Sequence, residues 1–348
     1  LLPSSSRSVL GASPRFPLTC SQAMASGAAI GANKLAFVSL RIPRAAVAQT
    51  VDFYTKALNF SQLEDHGDGG AGPQTGSSVR RIRYGLTKAS PGFPLSSAGV
   101  EFVTPAGDSA DFSPYQPDRS DIYWKIGLGL HDLDTSIPSL IKNVPGFSMK
   151  PGSQFLDIGY LAHLRDPANF TIELLQTTFE GNSQVRQELI KKSIGDGASC
   201  PLAQELDVVV GQITTRITDE KASLHFYREV LGMKLLSIQP VDQYGFVLYF
   251  LAFTDESPPN PEDLFAVENR EWCWQRPYTT LELQHVLSRS DRLRNAGAEE
   301  SGMEAIVVQV GDDALWQRLK DGGALQEDSE KRSFVTDPDG LKVVVEKV

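Results

Sequence analysis

Polar side chains that could bind a metal ion or exchange protons lie inside apolar, strand-like runs of this chain. Glu173 lies in the run FTIEL, Glu282 lies in TLEL, and Gln212 lies on an alternating strand four residues before Arg216. Carboxylate and amide oxygens accept hydrogen bonds or bind cations, and a carboxylate can also act as a base. For any one of these residues taken alone, the alternative is a polar side chain that merely occupies a strand.

The cysteines do not indicate a disulfide framework. Cys20, Cys200 and Cys273 are odd in number, far apart in the sequence and without a CxxC pair. This pattern fits a reducing compartment, and none of the three has the spacing of a metal ligand.

Length and composition limit the class of protein. A chain of 348 residues with 41% apolar residues can bury a large core, and its length predicts two domains. A net charge of −10 without a Lys/Arg cluster excludes nucleic acid as a partner and favours small ligands or other proteins. The apolar runs are shorter than the roughly 20 residues needed to span a bilayer, so the chain is not predicted to be transmembrane.

The N-terminal residues 1–34 differ in composition from the rest of the chain. They contain no Asp or Glu, three basic residues and seven serines, which is typical of an organelle transit peptide. An ordinary disordered tail is the alternative. We therefore expect an organellar protein, in a mitochondrion rather than a plastid, and we expect this extension to contact other protein subunits.

An internal repeat divides the rest of the chain. The segment FYTKALNF at 53–60 recurs as FYREVLGM at 226–233, and DPAN at 166–169 is matched by DPDG at 337–340. Each copy begins with an alternating strand, an amphipathic helix and further strand-like runs, and a second, shorter unit of the same kind follows. The chain is therefore interpreted as four βαβββ modules.

The repeat also predicts the domain boundaries. The transit-like extension covers 1–34, the first domain 35–178, a linker containing a helix 179–206, and the second domain 207–348. The linker is placed where Gly-rich and polar residues interrupt the apolar periodicity.

These motifs resemble the vicinal oxygen chelate superfamily over nearly all of the chain after residue 35. The resemblance lies in the paired βαβββ modules, the helix ending in Phe-Tyr-x-x-x-Leu-Gly and the DPDG turn before the last strand. The runs LYFLAF at 248–253 and TLEL at 280–283 are similar to glyoxalase I, the lactoylglutathione lyase. The resemblance implies an α+β fold of two tandem glyoxalase-like domains, as in single-chain fungal-type enzymes.

The same resemblance implies sites between modules, where four side chains hold a divalent metal such as Zn or Ni and the last Glu acts as the base. One site would combine Gln212 and Glu282 of the second copy with Lys125 and Glu173 of the first. Three of these four positions keep a suitable ligand, because Lys125 replaces a His.

The other implied site keeps a single possible ligand. Its positions are Phe37, Glu101, Ala305 and Val344, and only Glu101 could contact a metal ion. The sequence therefore predicts that this site is not a metal centre.

The replacement by Lys125 changes what the first site can hold. Strand alternation points Lys125 into the site, although a solvated strand lysine is the alternative. An ammonium group only donates hydrogen bonds, and two nearby carboxylates keep it charged. We therefore expect Lys125 to stand where the metal would be and to neutralise Glu173 and Glu282.

Arginines and histidines give weaker indications. The resemblance implies that Arg41 and Arg216 bind the carboxylate of a glutathione conjugate, and strand arginines paired with acidic neighbours are the alternative. None of the five histidines falls on a ligand position of the superfamily. His131 and His163 are interpreted as strand-end or turn residues, so an iron dioxygenase is not expected.

Two functions of different classes remain. The favoured hypothesis is a glyoxalase I-like protein with a degenerate metal site and no cofactor, which serves as a non-catalytic binding or structural subunit of a larger organellar assembly. The alternative is a metal-dependent lactoylglutathione lyase with one surviving site. In that case Glu173 is the base, and Gln212, Glu282 and Glu173 bind the metal.

Overall fold

A computed structural model describes most of the chain. The described residues are 32–66, 79–87, 97–143, 149–156, 159–178, 208–289, 291–297 and 299–348. The predicted linker helix and nearly all of the transit-like extension lie outside them, so these two interpretations stay predictions. Within the described residues, no helix is both long enough and apolar enough to cross a membrane.

Both halves of the chain follow the predicted order of a strand, a helix and three strands, repeated twice, and the second half contains one further helix at Val267–Trp274. The first half contains β1 (Asn33–Arg41), α1 (Arg44–Asp52), β2 (Ser61–His66), β3 (Val79–Gly85), β4 (Gly99–Pro105), β5 (Tyr123–Leu130), α2 (Leu133–Asn143), β6 (Ser153–Phe155), β7 (Gly159–Arg165) and β8 (Thr171–Gln176). The second half contains β9 (Val208–Ile217), α3 (Glu220–His225), β10 (Lys234–Val241), β11 (Phe246–Ala252), α4 (Val267–Trp274), β12 (Thr280–Val286), β13 (Gly302–Val310), α5 (Asp313–Asp321), β14 (Gln326–Glu327), β15 (Ser333–Thr336) and β16 (Lys342–Lys347).

The strands form two eight-stranded sheets, and each sheet takes one module from each half of the chain. The first sheet has the order β14-β15-β16-β13-β1-β4-β3-β2, and the second has the order β10-β11-β12-β9-β5-β8-β7-β6. The halves meet where β1 pairs antiparallel with β13 and where β5 pairs antiparallel with β9. This arrangement confirms the predicted α+β fold of four βαβββ modules.

The repeated Phe-Tyr motif fastens the two modules of each half to each other. Tyr54 and Tyr227 lie in π-helical turns that continue α1 and α3, and both are buried. The Tyr54 hydroxyl donates a hydrogen bond to Asp166 over 3.2 Å, and the Tyr227 hydroxyl donates one to Asp337 over 2.9 Å. The Phe-Tyr motif and the Asp-Pro motif therefore contact each other in both halves of the chain.

Burial leaves both of these aspartates with unusual acidities. Desolvation raises the pKa of Asp166 to about 7 and that of Asp337 to about 6, although backbone N–H groups and the tyrosine hydroxyls act in the opposite direction. Each aspartate also accepts hydrogen bonds from the backbone of its own turn, at Phe170 and Leu341. The two carboxyls hold the turns that precede β8 and β16.

Candidate functional site

Four central strands of the second sheet carry the residues of the first implied site. Lys125 lies on β5, Glu173 on β8, Gln212 on β9 and Glu282 on β12, and these strands are neighbours in the order β12-β9-β5-β8. Two of the strands come from each half of the chain. All four side chains are almost completely buried.

Strand register explains why these side chains meet. Glu173 and Gln212 both lie opposite Gly127, one on each neighbouring strand. A β-carbon on Gly127 would lie 2.1 Å from the Gln212 γ-carbon, so only glycine leaves room for Gln212 to cross the strand. The Gln212 amide then donates a hydrogen bond to Glu173 over 2.8 Å.

The Lys125 ammonium group occupies the space between the two carboxylates. Its Nζ lies 2.8 Å from both oxygens of Glu173 and 3.6 Å from Oε1 of Glu282. Nζ also lies 4.3 Å from the centre of the Trp124 ring, a distance at which cation–π attraction operates. The amine is therefore fixed by both acids and by an aromatic face.

The acidities of the three charged groups follow from this geometry. Burial alone would lower the pKa of Lys125, but Glu173 and Glu282 raise it. Burial alone would raise the pKa of Glu173, but Lys125 and His163 lower it to about 2. For Glu282, burial dominates and raises the pKa, with Lys125 opposing and Glu173 adding to the shift.

A divalent ion does not fit this set of side chains while Lys125 keeps its proton. Both oxygens of Glu173 already accept hydrogen bonds from the ammonium group, and Oε1 of Glu282 also accepts one from Thr214 over 3.2 Å. A protonated amine has no lone pair to offer a metal, and its charge repels one. The Lys125 ammonium group therefore occupies the position from which a metal ion would contact Glu173 and Glu282.

His163 belongs to this site, contrary to the expectation that it lies in a turn or at a strand end. It lies in the middle of β7, directly opposite Glu173 on β8, and its Nε2 is 3.2 Å from Glu173 Oε1. The signal that could have found it is the alternation along β7, where Ala162 and Leu164 are buried and His163 points the other way.

A cavity of about 260 Å³ opens above these strands, and we call it the cup. Lys125, Glu173, Gln212 and Glu282 lie at its polar end. Most of the rest of the lining is apolar. It includes the aromatic residues Trp124, Phe155, Tyr244, Phe246, Phe250 and Trp274 and the aliphatic residues Leu161, Leu175, Val241 and Leu248. Trp274 comes from α4, an element that the sequence analysis did not predict.

Two glutamines in the cup have amide atoms without a hydrogen-bond partner among the described residues. Gln239 on β10 is 1% exposed, and both its Nε2 and its Oε1 are unpartnered. Gln212 lacks a partner at Oε1. A buried polar atom without a partner costs about 1–3 kcal/mol, which makes Gln239 an unusual residue to find in an apolar wall.

The cup opens into a wide cleft that contains Arg216. The two spaces share Trp124 and His163, and the cleft is also lined by Arg119, Lys150, Arg165 and Arg289. Arg216 donates hydrogen bonds to the backbone oxygens of Asp121 and Tyr123, over 2.8 and 3.0 Å. Burial, with a smaller effect from Arg289, lowers the pKa of Arg216 to about 10.

Arg41 lies at a different place from Arg216. It is on β1 in the first sheet, where it donates to the backbone oxygen of Gly297 over 2.6 Å and to Glu304 over 3.3 Å. Its guanidinium lies over the Phe112 ring. These contacts match the salt-bridged alternative for Arg41, and they place it on the other sheet from the cup.

The second implied site has become part of the core. Its positions lie on the four central strands of the first sheet, where Phe37, Ala305 and Val344 pack together in an apolar cluster. Glu101 is completely buried and accepts hydrogen bonds from Ser39, Arg81 and Arg83.

Arginines on β3 fill the space around Glu101, and the sequence analysis did not single them out. Arg81 donates to Glu101, Glu304 and Glu330 over 2.7–3.1 Å, and Arg83 donates to Glu101 over 2.8 Å and to Glu346. Burial alone would raise the pKa of Glu101, but the two arginines lower it. The pattern that could have indicated them is three arginines within the seven residues of β3.

Comparison with known proteins assigns the family. Residues 209–345 match the profile of the Glyoxalase/Bleomycin resistance protein/Dioxygenase superfamily. A lactoylglutathione lyase of Pseudomonas aeruginosa is 32% identical over 155 residues, which cover 42% of this chain and 85% of that protein. The chain belongs to the glyoxalase superfamily. This confirms the resemblance stated from the sequence.

Two further similarities extend over more of this glyoxalase superfamily member. Glyoxalase I of Saccharomyces cerevisiae is 26% identical over 203 residues, covering 53% of this chain and 52% of that protein, so the chain spans about half of the yeast relative. The crystal structure of glyoxalase I from Zea mays has a TM-score of 0.55 at 16% identity and covers 90% of this chain and 92% of that one. The maize structure supports the tandem fold alone.

Proposed function

We propose that this chain is a glyoxalase-like binding protein in which Lys125 takes the place of the metal ion and lyase chemistry has been lost. The observation that supports this most strongly is the position of the Lys125 Nζ, 2.8 Å from both oxygens of Glu173. The single positive charge of the ammonium group offsets the charge of Glu173, but unlike a metal ion it offers no open coordination position to a substrate.

The acidity of Glu173 supports the same proposal. Lys125 and His163 hold its pKa at about 2, so its carboxylate is strongly stabilised as the anion. A general base is most effective when its pKa lies near the working pH, because a weaker base removes a carbon-bound proton more slowly. Glu173 in this environment is a poor base and a good partner for an ammonium group.

A lyase assay with a matched pair of variants tests the proposal. The purified chain is assayed with methylglyoxal and glutathione for thioester formation, with and without added Ni²⁺ or Zn²⁺. We expect no activity above that of the Glu173→Gln variant, whose carboxylate is lost but whose volume is kept. Turnover by the unmodified chain that disappears in Glu173→Gln contradicts the proposal.

The second candidate is a lactoylglutathione lyase with one working site. The observation that favours it is the convergence of Gln212, Glu173 and Glu282 in one buried cluster, together with the name of the bacterial relative. The basic residues of the cleft are also compatible with an anionic thiol conjugate. The assay above separates the two candidates.

We also propose a mitochondrial location and protein partners that bind residues 1–34. This proposal rests on the acid-free, serine-rich composition of that segment. The full chain fused to a C-terminal fluorescent protein is compared with a variant in which Arg7 and Arg15 are replaced by Glu. Mitochondrial fluorescence that disperses in the variant supports the proposed location, and dispersed fluorescence of the unmodified fusion contradicts that location.

A further inference from the structure

The wall of the cup contains a glutamine whose side-chain amide has no hydrogen-bond partner among the described residues. Gln239 lines the cup and is 1% exposed, yet neither Nε2 nor Oε1 has a hydrogen-bond partner among the described residues. Its neighbours in the wall, Leu248, Val241 and Phe250, have no polar side-chain atoms. A leucine would pack there without leaving two polar atoms unsatisfied, so the amide is poorly explained by packing.

The remaining wall of the cup favours a flat, aromatic occupant. Tyr244 stacks with Phe155 at 5.4 Å and with Phe246 at 6.3 Å between ring centres, and Trp124 meets Phe246 edge to face at 6.1 Å. These rings form an extended aromatic surface along one side of a 260 Å³ space. Aromatic rings in such walls prefer to pack with other rings in offset or edge-to-face geometry.

The charges at the polar end of the cup favour a neutral ligand. The ammonium of Lys125 and the carboxylate of Glu173 offset each other at 2.8 Å. Glu282 lies 3.6 Å from the same ammonium group and also accepts a hydrogen bond from Thr214 over 3.2 Å. A charged ligand would add an unbalanced charge to this buried cluster, and an unpaired charge is costly away from water.

We propose that the cup binds a neutral, planar heteroaromatic ligand whose edge carries a hydrogen-bond donor next to an acceptor, as in a cyclic amide. The Gln239 Nε2 donates to the ligand carbonyl, and the Gln239 Oε1 accepts from the adjacent ligand N–H. This pairing satisfies both atoms at once, because a primary amide and a cyclic amide present complementary edges. The inference rests on the proposed function of the cup as a binding site and names the class of ligand.

The test uses 2-quinolone, a bicyclic cyclic amide, and N-methyl-2-quinolone, which has lost the N–H donor. Binding to the full chain is followed by calorimetric titration. We expect 2-quinolone to bind at least tenfold more tightly than its N-methyl analogue, because a site built to bond a polar group rejects the analogue that lacks it. In the Gln239→Leu variant, this preference should disappear. Gln239→Met serves as a second variant of similar length, and circular dichroism establishes that both are folded.

Each outcome decides the inference. Equal binding of the two quinolones, or a preference that survives in both variants, overturns the role of Gln239 but leaves the cup as a binding site. No binding of 2-quinolone at all also overturns the inference. The lyase assay is independent of these results, so turnover dependent on Glu173 would remove the proposed function itself.

Discussion

Four equivalent strand positions carry different kinds of side chain in the two sheets of this protein. In the second sheet these positions hold Lys125, Glu173, Gln212 and Glu282 around an open cup. In the first sheet, Phe37, Ala305 and Val344 close the space, and only Glu101 is polar. Apolar side chains and the arginines of β3 occupy these positions in the first sheet, whereas the polar cluster of the second sheet lies at the end of a cavity.

Both sheets neutralise a buried acid with a basic side chain, but they do so on different scales. In the cup, one lysine pairs with two carboxylates. In the first sheet, Arg81 and Arg83 connect Glu101 to Glu304, Glu330 and Glu346, which joins the first module to the last one. Both clusters join the two halves of the chain, but the arginine network does so through more ion pairs than the cup.

The largest effect is expected in the first sheet, from Arg81→Met. The substitution leaves Glu101 and Glu304 buried with fewer partners, and we expect a loss of about 3–5 kcal/mol in the free energy of unfolding. Urea denaturation measures the loss. Arg80→Met is the matched control, because Arg80 is 45% exposed and its pair with Asp65 is worth at most about 1 kcal/mol. Equal effects of the two substitutions would contradict the account of the arginine network.

A somewhat smaller effect is expected in the cup, from Lys125→Met. Glu173 then loses its ammonium partner but keeps the Gln212 amide and His163. We therefore expect the free energy of unfolding to fall by about 3 kcal/mol. Adding Glu173→Gln to Lys125→Met should restore part of the stability, because the uncompensated charge is removed. A double variant less stable than the single one would contradict the ion-pair interpretation.

The Tyr–Asp contacts, which both halves share, predict a dependence of stability on pH. The pKa of Asp166 is raised to about 7, so the folded state keeps a proton that the unfolded state releases above about pH 4. Stability from this group is therefore greatest at acidic pH and declines as the pH rises towards 7, by about 2 kcal/mol between pH 5 and pH 7.

The Asp166→Asn variant isolates this contribution. It keeps a hydrogen-bonding group beside Tyr54 but cannot ionise, so its unfolding free energy should vary less over the same pH range. Denaturant titrations at pH 5, 6 and 7 on both proteins make the comparison. An unchanged slope in the variant would show that Asp166 does not titrate as its burial implies.

The smallest effect expected is a gain in stability, from Gln239→Leu. Removal of two unpartnered polar atoms should stabilise the unliganded protein by about 1 kcal/mol. Gln176→Leu is the control, because the equally buried Gln176 accepts a hydrogen bond from the Leu133 backbone and donates one to Thr178. Thermal melts should shift upwards for Gln239→Leu and downwards for Gln176→Leu. A downward shift for both would mean that Gln239 is satisfied in the folded protein.

Local patterns in the sequence were sufficient for the modules, whereas the residues of the cup were grouped by the resemblance to the superfamily. The Phe-Tyr and Asp-Pro repeats mark positions that contact each other in both halves, so their spacing follows from the fold. Strand alternation pointed Lys125 inwards, and the resemblance to the superfamily grouped it with residues of the other half.

The missed residues share a physical reason. His163, Arg81 and Gln239 become part of a site only through their partners on neighbouring strands, at Glu173, Glu101 and the aromatic wall. Contacts between strands depend on their register, which a short run of residues does not encode. The same holds for Trp274, which reaches the cup from α4. A histidine inside an alternating strand and three arginines within β3 were the available signals.

A calorimetric titration of Zn²⁺ into the metal-stripped chain and into its Lys125→His variant tests the central claim most directly. The account predicts no stoichiometric binding to the unmodified chain, because the Lys125 ammonium lies against both Glu173 and Glu282. The histidine variant should gain one site, which is lost again when Glu173→Gln is added. Stoichiometric binding of Zn²⁺ by the unmodified chain, abolished by Glu173→Gln, would contradict the account.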